Sequence, residues 1–185
     1  MTAIRPKPVL MFLTPFYVLL GGKYLASALP ANAIWGIYTL TAVSIFFVQK
    51  EQRPFEWKLS SLAWGLPSGL LVAGLWILLA KSGTDEPRRL EAFVSYLVLT
   101  PVVEELAFRA FLMPLFKNKW VGVLVSAVAF TLVHNDWMAA LLAGAVYAGL
   151  YARRTDLLDS VIAHATTNTT LAVLCLTTGR WTYWG

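Results

Sequence analysis

Two acids stand in the middle of an apolar run: Val102-Val103-Glu104-Glu105-Leu106-Ala107-Phe108-Arg109. The other eight of the ten Asp and Glu residues lie in or beside polar separators. Both histidines of the chain, His134 and His164, also fall within apolar runs or at their ends. A charge at mid-bilayer costs about 2.5–3.5 kcal/mol on the insertion scale, so such groups persist where they pair, meet water or carry function.

The spacings add chemistry to the residue types. Glu105 and Arg109 are four apart, with the acid N-terminal, the favourable order for an ion pair on one helix face. Glu104 is turned by roughly 100° from its neighbour, so Arg109 can neutralise Glu105 while Glu104 points elsewhere, into a shared cavity. Pro101 lies just upstream, lacks a backbone N–H, and should kink or start a helix there. Phe130 and His134 are four apart, as are His164 and Asn168, so each pair shares a face. Three helices then bring two acids, two imidazoles and an amide to comparable depth. A carboxylate shielded from water takes a proton from water more readily near neutral pH. A histidine can hold that water, and an amide with a second histidine can stabilise an oxyanion.

Each residue also has a plainer reading. Glu105–Arg109 alone would be a structural ion pair, His134 a cap at a helix end, Asn168 interhelical hydrogen-bonding glue, and Phe130 packing. Taken jointly these readings are weak, because every histidine and every intramembrane acid needs its own excuse.

The elements that must position these groups follow from composition. The 185 residues are 58% hydrophobic and 14% charged, with a mean hydropathy of +0.63. An ordinary globular domain carries roughly 25% charged residues, so the chain reads as an integral membrane protein. Disorder, a coiled coil and a disulfide scaffold are excluded, and the single Cys175 has no internal partner. The net charge of +5 comes from Lys and Arg that punctuate the ends of apolar runs. That suits cytoplasmic loops against anionic lipid rather than nucleic acid.

A crossing helix needs roughly 20 apolar residues. The expected fold is therefore all-α, a polytopic transmembrane bundle of about seven spans near 9–29, 32–48, 59–80, 92–116, 120–135, 137–152 and 157–177, in one domain over 1–185. Ala26-Ser27-Ala28 resembles a signal-peptidase site, but six further spans already commit the chain to the membrane, so an uncleaved first span is expected. Ala140, Gly144 and Ala148 recur every four positions, which lets two helix backbones approach closely. With the N-terminus inside, nine basic residues fall on inner loops and four on outer ones, which favours a cytoplasmic N-terminus. Trp181, Tyr183 and Trp184 are then expected at the outer interface as anchors.

These residues resemble the CAAX protease and bacteriocin-processing (CPBP, or Abi) family of intramembrane glutamate endopeptidases. Its motifs Glu-Glu-x-x-x-Arg, Phe-x-x-x-His and His-x-x-x-Asn occur here in order as Glu104-Glu105-Leu106-Ala107-Phe108-Arg109, Phe130-Thr131-Leu132-Val133-His134 and His164-Ala165-Thr166-Thr167-Asn168. The matching core covers about 92–175, and the compact size is similar to the bacterial CAAX prenyl protease-related branch. The resemblance implies a metal-independent peptide hydrolysis with no cofactor at the plasma membrane of a bacterium. Glu104 would be the general base, activating water with His134; His164 and Asn168 would stabilise the oxyanion; Glu105 and Arg109 would support the site. The implied substrate is a membrane-tethered peptide or lipidated protein. The charge count puts the loop after His134 outside, whereas the family's prenyl-protein proteases open to the cytosol.

Rival classes are separable. A zinc protease could use two histidines and a glutamate, but no His-Glu-x-x-His helix is present. Ser68 lacks a serine-protease setting, and no Gly-x-Gly-Asp supports an aspartyl type. A proton-coupled transporter, or an inactive family member serving as scaffold or immunity factor, would also retain buried ionisable groups. Against these, the chain shows no paired halves and lacks none of the motif residues.

Overall fold

The computed structural model describes residues 58–80 and 95–184, together with Gly36. The first two expected spans, near 9–29 and 32–48, lie outside the described residues. Within them every regular element is helical: α1 (Leu59–Leu79), α2 (Thr100–Glu105), α3 (Lys119–Thr131), α4 (Trp137–Arg154) and α5 (Leu157–Thr178). The expected all-helical bundle is borne out. Only α1 among the described helices is both long and apolar enough to cross a membrane. The reason α5 falls short is its inward-facing polar set: Asp159, Ser160, His164 and Thr167 are all buried.

α1 packs on α5 through a stripe of small residues. Ser61, Gly65, Gly69 and Ala73 recur every four positions and all are buried. A Cβ on Gly69 would stand 2.4 Å from the Ala163 carbonyl oxygen, and one on Gly65 would stand 2.6 Å from Ile162 Cγ2. The close approach lets the Thr167 hydroxyl donate to the Gly69 carbonyl at 3.0 Å. The Ala140, Gly144 and Ala148 stripe of α4 is likewise buried. A Cβ on Gly144 would meet Ala127 Cα at 3.1 Å, so α3 and α4 lie backbone against backbone.

The described part of the segment expected as a fourth span, 92–116, is helical but irregular over 95–115. A π turn (Ser95–Leu99) leads into α2, which begins with Pro101 in its first turn; a π stretch (Leu106–Leu112) and a 3-10 turn (Met113–Leu115) follow. The proline starts the regular turn as its missing N–H dictates. Widened turns of this kind gather at functional sites, and here they flank Glu104 and Glu105. The next element, α3, is 13 residues long, and after two turn residues it releases the chain at His134, whose N–H donates to the Thr131 carbonyl.

The C-terminal aromatics depart from expectation. Trp181 and Trp184 are buried in the main core, the Trp76 indole donates to the Tyr183 carbonyl at 3.1 Å, and Trp184 meets the Tyr96 ring edge-on at 5.7 Å. Glycine at the α5 terminus (Gly179, φ +69) turns the chain back, so the aromatics cap the bundle instead of pointing outward as anchors.

Candidate active site

Glu105 is fully buried and serves two partners. Its Oε2 lies 3.0 Å from Arg109 Nε, the ion pair expected from the four-residue spacing, and its Oε1 lies 3.0 Å from His164 Nδ1. Arg109 is itself fully buried, which is tolerable only with heavy compensation. Its Nη2 donates to the Gly144 carbonyl at 3.2 Å. Its guanidinium also lies among three rings, at 4.8 Å from the Phe130 centroid and 5.7 Å from those of Phe108 and Tyr147, an attraction strengthened by desolvation.

Glu104 faces the other way, as helical rotation required. Its Oε2 is 3.9 Å from His134 Nε2 and 4.0 Å from His164 Nε2. The partners of the opposite ring nitrogens set the tautomers. His134 Nδ1 is 2.9 Å from the Phe130 carbonyl oxygen, which can only accept, so Nδ1 carries the proton. His164 Nδ1 lies 3.0 Å from a Glu105 carboxylate oxygen and is the donor in that contact. In the neutral rings both Nε2 atoms are then acceptors, turned toward a carboxylate oxygen. The two Nε2 atoms and the Glu104 carboxylate oxygen thus converge at about 4 Å, close enough for one small O–H donor to bridge them.

Aromatic packing holds both rings in place. His134 stacks on Phe130 at 4.3 Å and meets the edge of Trp76 at 5.9 Å. His164 stacks on Tyr147 at 5.0 Å, and the Tyr147 hydroxyl donates to Thr167 Oγ1 at 2.7 Å. Phe130 was read from sequence as packing, and it is packing, though against His134, His164 and Arg109 at once.

Five of the six candidates, Glu104, Glu105, Arg109, His134 and His164, therefore form one connected cluster. Asn168, half-buried one turn beyond His164, donates from Nδ2 to the Tyr96 carbonyl at 2.8 Å, tying α5 to the π turn ahead of α2. The sequence reading missed Trp76, Gly144 and Tyr147. Gly144 was legible as a close-packing position, but its use of the carbonyl was not; Trp76 and Tyr147 gave no signal beyond being aromatic. Among the described residues no three His, Cys, Asp or Glu side chains form a metal-binding group.

Among the described residues, helices with exposed apolar side chains enclose an interior Glu–His–His cluster backed by an arginine. Residues 87–170, which contain all three motifs, match the family described as Type II CAAX prenyl endopeptidase Rce1-like. The resemblance drawn from the motifs is borne out as a similarity over this segment, which matches a family of CAAX-type prenyl endopeptidases. Three proteins of Lactococcus lactis subsp. lactis (strain IL1403) are similar. UPF0177 protein YxdF is 32% identical over 75 residues, 38% of this chain and 42% of that protein. UPF0177 protein YaiH is 29% identical over 86 residues, 44% of this chain and 36% of that protein. UPF0177 protein YbdI is 28% identical over 76 residues, 39% of this chain and 42% of that protein. The chain thus spans less than half the length of the curated relatives it matches. No solved structure matches it.

Proposed function

We propose that this chain is a multi-pass intramembrane endopeptidase that hydrolyses a peptide bond in a membrane-tethered peptide or lipidated protein. The observation that carries the reading is the approach of Glu104 Oε2 to both imidazole Nε2 atoms, at 3.9 and 4.0 Å. A water molecule between them could donate one hydrogen to Glu104 and the other to His134 Nε2. Glu104 takes one proton from that water as its oxygen attacks the scissile carbonyl, while His134 accepts the other hydrogen bond and aligns the nucleophile; when the intermediate collapses the C–N bond breaks and Glu104 returns the proton to the leaving amine. The tetrahedral oxyanion needs donors. His164 can supply one from Nε2 when that nitrogen carries a proton. Asn168, with one amide hydrogen committed to Tyr96, has a second to offer.

The roles of Glu104 and Glu105 differ by position. Glu105, shared between Arg109 and His164, orients and charges the imidazole, whereas Glu104 alone faces both rings. The site needs no metal in this mechanism, since Glu104 supplies the base and protein donors the electrophilic assistance. The loop charges support a cytoplasmic N-terminus, with the chain in the inner (plasma) membrane of a bacterium.

The test is reconstitution of the full chain with a library of membrane-tethered peptides. Wild type is expected to cleave a subset of them in the presence of a zinc chelator. Glu104→Gln should lose at least about 10²-fold in kcat, within the range of one general base, with its thermal unfolding unchanged. Glu105→Gln should lose less. Cleavage that persists in Glu104→Gln removes Glu104 from the mechanism; loss of cleavage with chelator, restored by zinc, replaces the mechanism with a metal one.

A further inference from the structure

The cluster accounts for the interior of the bundle, and a groove on its outer surface has no part in it. Between α1, α3 and α4 lies a cavity of about 470 Å³ lined by Trp64, Trp120, Val146 and Gly149 among others, with Arg153 and Arg154 at its rim. None of the six candidate catalytic residues lines it. Its volume falls within the roughly 300–1,000 Å³ of small-molecule sites.

Gly149 forms part of the wall for no reason of helix packing. Gly144, five residues earlier, is forced by contact with α3, but a Cβ on Gly149 would meet nothing within 4 Å. A mid-helix glycine is less favourable than alanine, so a glycine facing open space leaves room that the described residues do not fill.

The rim cations differ in commitment. Arg154 is bound to Asp159 and donates to Ser60. Arg153 is exposed, and among the described residues no acid pairs with it. Lys119 adds a third cation at this end, its Nζ 5.2 Å from the Trp120 ring. Trp64 and Trp120 are each 52% exposed, beside exposed Leu66, Leu124 and Val128 on the same two helices. Half-exposed tryptophans between an apolar helix surface and a cationic end mark headgroup depth in a bilayer.

We propose that this groove binds an anionic glycerophospholipid, with one acyl chain along Gly149 between the two tryptophans and the phosphate at Arg153. A zwitterionic lipid would bring an ammonium group against Arg153, whereas an anionic headgroup would neutralise its charge without one. The inference rests on the membrane placement and not on the peptidase mechanism.

The full chain is reconstituted in nanodiscs of phosphatidylcholine and phosphatidylglycerol in equal amounts, and the lipid retained after mild release is counted by native mass spectrometry. Wild type should retain phosphatidylglycerol about fivefold over phosphatidylcholine, the preference expected of one cation at the headgroup level. Arg153→Gln should abolish the preference, and Gly149→Leu, which fills the groove, should abolish retention. Arg180→Gln, at the opposite end, should retain as wild type does, and so should Glu104→Gln, whatever it does to cleavage. Equal retention of the two lipids by wild type, or unchanged retention in Gly149→Leu, overturns the proposal. Displacement of phosphatidylglycerol by a farnesylated peptide overturns it too, assigning the groove to a substrate's lipid. A Gly149→Leu protein that is less stable than wild type in lipid-free detergent also overturns it, since the groove would then be filled by the chain itself.

Discussion

Among the described residues two carboxylate–arginine pairs have a buried acid, and they are built for different ends. Glu105 and Arg109 are both fully buried in the middle of the bundle. Asp159 is equally buried, but Arg154, its partner, keeps its side chain 28% exposed where α4 hands over to α5. Around Asp159 the interactions stop at structural groups: Arg154 reaches Ser60, and Asp159 sits in the first turn of α5, where the helix dipole favours an acid. Around Glu105 they continue, through His164 Nδ1 to a ring whose other nitrogen faces Glu104. A buried ion pair is thus no mark of function by itself. Continuation into further titratable groups is what separates the first pair from the second.

The comparison breaks if the two pairs respond alike. Arg109→Met removes one member of a fully buried pair, a loss that costs about 3–5 kcal/mol. Unfolding by sodium dodecyl sulfate in mixed micelles should report that loss, together with loss of cleavage. Asp159→Asn leaves Arg154 able to turn to water, so a charge-assisted bond is lost without stranding a charge, at about 1.5–3 kcal/mol. Its cleavage rate per folded molecule should match wild type. If Asp159→Asn lost cleavage at full stability, the distinction between the pairs would fail.

How far these features were legible depends on the range of each contact. Glu105–Arg109 is four residues long and follows from helix geometry alone. The facing of Glu104 away from Arg109 followed from the same rotation. Other contacts span the chain: Asn168 reaches Tyr96 across 72 residues, and Trp76 reaches Tyr183 across 107, distances over which no local periodicity carries information. The shortness of α3 was hidden because its apolar run continues through Leu132 and Val133 after the helix has ended. The Ser61, Gly65, Gly69 and Ala73 stripe, by contrast, was readable from four-residue spacing. It passed unnoticed because larger apolar residues surround it.

The smallest expected effect sharpens the same comparison within one helix. Gly144 and Gly149 both lie on α4, one facing the catalytic interior and one facing the outer groove. Alanine at Gly144 would press its methyl against Ala127 Cα at 3.1 Å and Phe130 Cβ at 3.2 Å. The strain should cost about 1–3 kcal/mol and lower cleavage, because the Gly144 carbonyl that holds Arg109 shifts with the helix. Alanine at Gly149 meets nothing and removes the entropic cost of a mid-helix glycine, so it should stabilise by about 0.5–1 kcal/mol with cleavage unchanged. The two variants differ from wild type by the same single methyl on the same helix, and unfolding in mixed micelles should move them in opposite directions. A loss of stability at Gly149→Ala would mean that the groove is closed against that methyl in the folded protein, and the glycine would then need the same packing explanation as Gly144.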